Sequence, residues 1–242
     1  MLLESQSGLP VLDQSTKKKR KPQRTQEMRS AETRGKLLRA TIDVLLKSGY
    51  AGLTTAQVDK RAGVSSGARV HHYPAKADLV IAATAYVYER CSELGQQRAQ
   101  AAGTSAEPLR GYIEDCLSIY FDWPFISALE VLIAARTDPK LFARIHPVLE
   151  RFHDGMRSTW LAALVGAGYD EARTEIDLRL TLNLIRGMAT NKLWENDQKE
   201  YERLLGAWCA RITLVKRDGS APRAKPVSHA AVSRAGKPWR SR

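Results

Sequence analysis

No run of about eighteen uncharged apolar residues occurs in the chain, so a transmembrane helix is not expected and no membrane partner is assigned. The first ten residues lack the basic-then-apolar order of a secretory signal. Cysteine is scarce: Cys91, Cys116 and Cys209 are odd in number, widely spaced and set among apolar neighbours. That pattern reads as buried, reduced thiols in a cytoplasmic protein rather than a redox or metal centre. A Gly-rich phosphate loop, a Gly-x-Ser-x-Gly elbow, a His-Glu-x-x-His pair and a credible carboxylate pair are all missing. The chain therefore reads as a non-enzyme, with no catalytic, cofactor-binding or metal-binding residues assigned. Strand-like alternation is also absent, which leaves an all-α protein.

Positive charge is plentiful but unevenly placed. The net charge of the 242 residues is +12. Residues 1–34 hold eight Lys/Arg against four acids, residues 216–242 hold eight against one, and residues 35–215 hold 22 against 21. The folded part is thus nearly neutral, and the excess sits in two tails. Lys17, Lys18, Lys19, Arg20, Lys21 and Arg24 form one block suited to a polyanion. The expected layout is a disordered basic arm over 1–30, a first helical domain over 31–76, a second over 77–216 and a disordered basic tail over 217–242.

Helical periodicity begins with Leu37, Leu38, Thr41, Val44 and Leu45, which predict a first helix over Ala31–Lys47 stopped by Gly49. Thr54 with Gln57 fits a capping box for a second helix ending near Ala62. Gly63 breaks it, Val64 plugs the turn, and Ser65 is a natural N-cap for a third helix. That helix must stop before Pro74. Two helices of about eight residues around a Gly-Val-Ser turn make a helix-turn-helix. A long helix follows over 76–102, with Leu79, Ala82, Ala83, Tyr86, Val87, Arg90, Cys91 and Leu94 as its expected inner face. Further helices are expected from Pro108, over Phe125–Arg136, from Asp138 with a bend at Pro147, over Glu171–Trp194 and over Asp197–Lys216, giving about nine in all.

The stretch Arg34–Leu79 resembles the DNA-binding domain of the TetR/AcrR family of regulators. The residues that carry the likeness are Leu38, Ala40, Leu45, Gly49-Tyr50, Leu53-Thr54-Thr55, Val58, Ala62-Gly63-Val64-Ser65, Gly67-Ala68, His71-His72-Tyr73-Pro74, Lys76 and Leu79. A helix entering the major groove needs small residues at its N-terminal end, and Ser65, Ser66, Gly67 and Ala68 supply them. Thr54, Thr55, Gln57 and Ser65 sit at helix N-termini, where free N–H groups and hydroxyls suit phosphate oxygens. Arg69 and His71 are long enough to reach base edges, and an arginine favours guanine. The resemblance implies a phosphate contact for Lys76. Val70, His72 and Tyr73 complete the candidate DNA surface.

Two departures stand out. The family usually has Leu then Tyr where this chain has Arg69 and Val70, so Arg69 points either to DNA or packs its stem with the head in solvent. Ala75 replaces the usual cap of the fourth helix, at a cost of about 1 kcal/mol.

The resemblance also implies that the second domain binds an effector and dimerises. An apolar pocket with a few polar groups is what such a site requires. The candidates are Tyr120, Trp123, Phe125, Arg136, Phe152, His153 and Trp160. The last two helices carry the apolar residues expected to bury a second face against a two-fold mate: Leu180, Leu184, Met188, Leu204, Trp208 and Ile212. The expected function is a homodimeric repressor, released from double-stranded operator DNA by a small apolar or amphipathic effector. The competing reading is a sequence-independent architectural protein held on DNA by its basic tails, with steep salt dependence.

Overall fold

A computed structural model describes residues 25–217, apart from 106, 196 and 213, and apart from the side chain of Trp123. The block Lys17–Arg24 and all of the C-terminal tail beyond Arg217 lie outside the described residues.

Among the described residues there are nine helices and no named strand. The first, α1 (Gln26–Gly52), begins before the expected Ala31 because the Thr25 hydroxyl accepts the Met28 N–H at 3.3 Å and caps it. Its apolar face buries Leu37, Ala40, Thr41, Ile42, Val44 and Leu45. Gly49 interrupts the helix with φ 64° and ψ 179°, a conformation that needs glycine. The next helix, α2 (Thr55–Ala62), carries the full capping box: Gln57 N–H donates to Thr54 Oγ1 at 3.3 Å, and Thr54 N–H donates to Gln57 Oε1 at 2.9 Å. Gly63 closes α2 in the left-handed region. Ser65 Oγ then accepts the Ala68 N–H at 3.3 Å to start α3 (Ser66–His72).

Six helices follow: α4 (Lys76–Gly103), α5 (Pro108–Tyr120), α6 (Trp123–Ala135), α7 (Pro139–Gly166), α8 (Glu171–Asn191) and α9 (Gln198–Cys209). The missing cap at Ala75 is partly made good, because Asp78 Oδ2 accepts the Ala75 N–H at 2.6 Å. The most extensive helix pairing is α4 against α7. It corrects the expected inner face of α4. The buried residues are Leu79, Val80, Ala83, Tyr88, Gly95, Ala99 and Ala102. Small residues let two helices approach closely, whereas the sequence reading followed the larger apolar ones. Tyr86, Val87, Cys91 and Leu94 lie instead on a flank, and Arg90 is exposed.

Helix α7 runs through Pro147 without restarting, held by Ile145 and Leu149 buried on either side. Helix α9 ends at Cys209, well short of the expected Lys216. Past a turn at Ala210 and Arg211, the chain pairs with the segment before α8 through a bridge between Lys216 and Tyr169. Asp170 N–H donates to the Val215 carbonyl at 2.8 Å, and Arg217 N–H donates to the Gly168 carbonyl at 2.9 Å. These bonds satisfy backbone groups that a longer helix would have satisfied internally.

The N-terminal unit joins the rest through α1, which packs on α4 and α6. At this junction Tyr50 N–H donates to Glu130 Oε2 of α6 at 2.7 Å. A Cβ on Gly49 would lie 2.7 Å from the same oxygen. Gly49→Ala is therefore expected to cost about 2 kcal/mol through strain and displacement of Glu130. In a thermal melt that is a fall of roughly 4–8 °C, and an unchanged midpoint would contradict this account of the turn.

Candidate functional site

Helix α3 presents its N-terminal half and one side to solvent. Ser65, Ser66, Gly67, Val70 and His71 are exposed, and nothing lies within 4 Å of where a Gly67 side chain would be. Val70 is 48% exposed, unusual for a branched apolar residue in so short a helix. Thr54 and Gln57 are exposed at the start of α2 and Thr55 is half-buried beside them. This brings Thr54, Gln57, Ser65, Ser66, Gly67, Val70 and His71 into one accessible stretch of the chain. His72 and Tyr73 are half-buried, behind that surface. Burial, helped by the charges of His71 and Arg34, holds the His72 imidazole below its ordinary pKa. Lys76 leans inward: its ammonium lies 4.4 Å above the Tyr50 ring and reaches the Ala51 carbonyl at 3.5 Å.

Arg69 requires a correction. Neither of its expected placements occurs, because the whole residue is only 7% exposed. Its Nε lies 3.0 Å and 3.2 Å from the two carboxylate oxygens of Asp59, which is buried in α2. Its Nη1 donates to the carbonyls of Tyr73 and Pro74, both at 3.0 Å. Ser66 Oγ donates to Asp59 Oδ2 at 2.8 Å. A guanidinium with these partners is occupied on three sides and unavailable to a base. Asp59 is the residue that the sequence reading missed. The signal was an opposite charge ten positions earlier, on the facing helix of the motif.

The candidate ligand residues separate. Tyr120, Phe125, Phe152 and His153 gather around two residues not foreseen, Tyr88 of α4 and Arg186 of α8. Tyr88 stacks on Phe152 at 4.1 Å with planes 3° apart, and lies 6.4 Å from His153. Tyr120 meets Phe125 edge-on at 5.1 Å. Arg186 Nη2 donates to the Tyr120 hydroxyl at 2.9 Å, and its guanidinium carbon lies 4.9 Å from that ring's centre. Phe125, His153 and Arg186 are half-buried, on the outer side of the cluster. Burial, reinforced by the Arg186 charge, pushes the His153 pKa down to about 4.

Arg136 is exposed and takes no part in this cluster. Trp160 belongs to the core instead. It is fully buried, meets Tyr112 edge-on at 5.3 Å, and its Nε1 donates to Asp115 Oδ2 at 2.9 Å. Arg98 neutralises Asp115 at 2.5 Å. The Trp123 side chain lies outside the described residues. A separate crevice of about 160 Å³ opens between α4 and α5, lined by Tyr86, Cys91, Leu94, Ile119 and Pro124 with Arg98 and Asp115 on its polar side. Burial pushes the Cys91 thiol up to about 12, which makes it a poor nucleophile.

Residues 37–83, the segment that contains this helix-turn-helix, match the family model for bacterial regulatory proteins of the tetR family. The HTH-type transcriptional regulator CymR of Pseudomonas putida is 35% identical over 181 residues, spanning 75% of this chain and 89% of the relative. The chain belongs to the TetR family of transcriptional regulators. Two solved structures share the fold. A TetR-family protein of Mesorhizobium loti aligns with TM-score 0.62 at 15% identity, over 76% of this chain and 98% of that one. FadR of Bacillus subtilis, solved with stearoyl-CoA, aligns with TM-score 0.53 at 18% identity, over 74% and 98%.

The residues expected at a dimer interface lie in different surroundings. Met188 and Ile212 are buried within the chain itself, which removes them from its free surface. Trp208 is half-buried and donates its Nε1 proton to Thr181 Oγ1 at 2.9 Å. Leu184 and Leu204 are half-buried as well. Leu180 is 49% exposed and Ile176, one turn earlier, is 58% exposed. The free stripe of α8 therefore runs through Ile176, Leu180, Asn183 and Gly187, rotated from the set expected. The sequence showed α8 apolar on most sides but not which of those sides the chain's own core uses.

Two measurements check these readings. Replacing Arg69 alone with Met strands a buried carboxylate, so Arg69→Met is expected to lose about 3–5 kcal/mol in a urea melt. The double change Arg69→Met with Asp59→Leu should recover much of that loss, and no recovery would refute the paired arrangement. His153 binds a proton less readily in the folded chain than at the ordinary value of 6.5. Its contribution is complete above pH 6.5 and is lost as pH falls toward 4, by about 3 kcal/mol at the limit. His153→Gln should remove that part of the acid sensitivity in melts run across the same range.

Proposed function

We propose that this chain is a cytoplasmic, homodimeric repressor that leaves its operator when a small effector enters the helical domain. The DNA-binding unit is residues 31–76 and the effector-binding, dimer-forming unit is residues 77–216. The observation that carries the reading is the exposed face of α3, with Ser66, Gly67, Val70 and His71 open to solvent on a helix locked from behind by Arg69 and Asp59. Small residues let the helix backbone approach the major groove. Val70 offers methyl groups to a thymine methyl, and His71 offers ring nitrogens to base edges. Thr54, Thr55, Gln57, Ser65 and Lys76 supply backbone contacts around the groove, with His72 and Tyr73 supporting the helix from its far end.

Effector binding is assigned to the cluster of Tyr88, Tyr120, Phe125, Phe152 and His153. FadR, solved with stearoyl-CoA, and the EbrR protein, solved with ethidium, support ligand control on this fold. The route to the DNA runs along α6. Phe125 sits near its start, and Glu130 holds the Tyr50 N–H at its middle. A ligand that moves Phe125 moves the support of the break at Gly49 in α1. Two recognition helices must match half-sites about one helical turn apart, so a small rotation spoils both contacts together.

The first test is fluorescence anisotropy on the duplex upstream of the chain's own gene, beside a shuffled duplex, at about 0.15 M salt. A preference of about 10³-fold or more is expected for a specific regulator. His71→Ala should weaken the specific complex by roughly 5- to 100-fold and leave the shuffled duplex unaffected. Equal affinity for both duplexes, lost steeply with salt, would favour the architectural reading driven by the basic tails.

A further inference from the structure

The cluster assigned to the effector contains one cation and no anion. Arg186 reaches it from α8, and its recorded partners are neutral: the hydroxyl and the ring face of Tyr120. Among the described residues no ion pair takes up its guanidinium. Other interior charges are treated differently. Asp59 faces Arg69 at 3.0 Å, and Asp115 faces Arg98 at 2.5 Å. Each of those buried carboxylates has its counter-charge on a neighbouring helix.

Arg186 also acts across several elements. Its charge is felt by Tyr88 on α4, by Tyr112, Cys116 and Tyr120 on α5, and by His153 on α7. A guanidinium at the meeting point of four helices, drawn partly out of water without a carboxylate, is costly unless something pairs it. The surrounding surfaces are rings: Tyr88, Phe152, Tyr120 and Phe125. The Tyr120 hydroxyl accepts from the guanidinium, so it marks where a second oxygen-bearing group would sit.

We propose that the effector is an aromatic or alicyclic carboxylate, whose ring lies among Tyr88, Phe125 and Phe152 and whose carboxylate pairs with Arg186 and the Tyr120 hydroxyl. The planar fork of arginine suits a carboxylate in bidentate geometry, so lysine would replace it poorly. His153, kept neutral beside it, can offer a hydrogen bond without adding a second charge. This rests on the reading of the chain as an effector-controlled regulator. It narrows that reading from any small apolar compound to an anionic one.

The test uses the full-length protein and matched probes: benzoate and 1-naphthoate, with benzamide and 1-naphthamide as their uncharged counterparts. At about ten times the dissociation constant, a ligand confined to the folded state should raise the melting midpoint by roughly 3–5 °C. The carboxylates are expected to do so in the wild type and the amides are not. Arg186→Gln should abolish the carboxylate response, and Arg186→Lys should retain a fraction of it. Far-UV circular dichroism and a cooperative thermal melt without probe should match the wild type in both variants, which shows that they fold. A carboxylate response that survives in Arg186→Gln, equal responses to acids and amides, or no response to either acid up to 10 mM, roughly the limit of weak specific binding, would overturn the proposal. If the wild type meanwhile holds its operator specifically, the regulator reading stands and the anionic effector alone falls. If it shows no operator preference, the regulator reading falls, whatever the probes do.

Discussion

The recognition helix has seven residues, and a helix of that length does not hold its shape in water unaided. Its rigidity is borrowed from one buried ion pair. Arg69 binds the Asp59 carboxylate, and its other nitrogen collects the two carbonyls that follow the helix. The pair thereby fixes the angle between α2 and α3 and the exit of the chain toward α4 in a single contact. A longer apolar residue at Arg69 would fill the same space but leave the carbonyls of Tyr73 and Pro74 without donors. The exposed start of α3 can then be built from small residues, Ser65, Ser66 and Gly67, because the anchoring bulk lies on the opposite side.

The same division of labour recurs at the junction of the two units. Glu130 and Asp78 each serve two masters: Glu130 belongs to α6 and satisfies the Tyr50 N–H, while Asp78 accepts the Ala75 N–H and the Arg144 guanidinium at 2.6 Å. Both contacts join the helical domain to the backbone on either side of the helix-turn-helix. They are polar, short and partly exposed, so they can be exchanged for water at small cost. The apolar seam of α4 on α7 cannot. Motion is therefore easiest where the polar ties are, at the edges of the DNA-binding unit, rather than through the core.

The helix-turn-helix was legible because its signals are local. Thr54 with Gln57, Gly63, Ser65 and Pro74 each act within four residues, and each has the expected role. The nine-helix all-α architecture was legible from periodicity. What escaped depends on contacts between distant positions. Arg69 looked like a base reader because its partner lies on another helix. Met188 and Ile212 looked like interface residues because apolar character does not say which side of a helix the protomer consumes. Tyr88 was passed over for Tyr86, two positions away, because Gly95, Ala99 and Ala102, which set the buried face, have little hydrophobic weight. Arg186 carried no local signal at all. Trp160 was taken as an effector contact, but it lies in the core with its indole N–H committed to Asp115.

Helix α4 belongs to both units. Its first turns bury Leu79, Val80 and Ala83 beneath the helix-turn-helix, and its later turns bury Tyr88, Gly95, Ala99 and Ala102 against the helical domain. With 28 residues it is a rod of roughly 42 Å. A hybrid regulator that joined this DNA-binding unit to a foreign sensor at residue 76 would discard the floor on which α1 rests. The natural place for such a splice is inside the helix, between Thr84 and Val87, where the rod passes from the helix-turn-helix to the helical domain and a continuous backbone can carry the phase of the donor into the recipient.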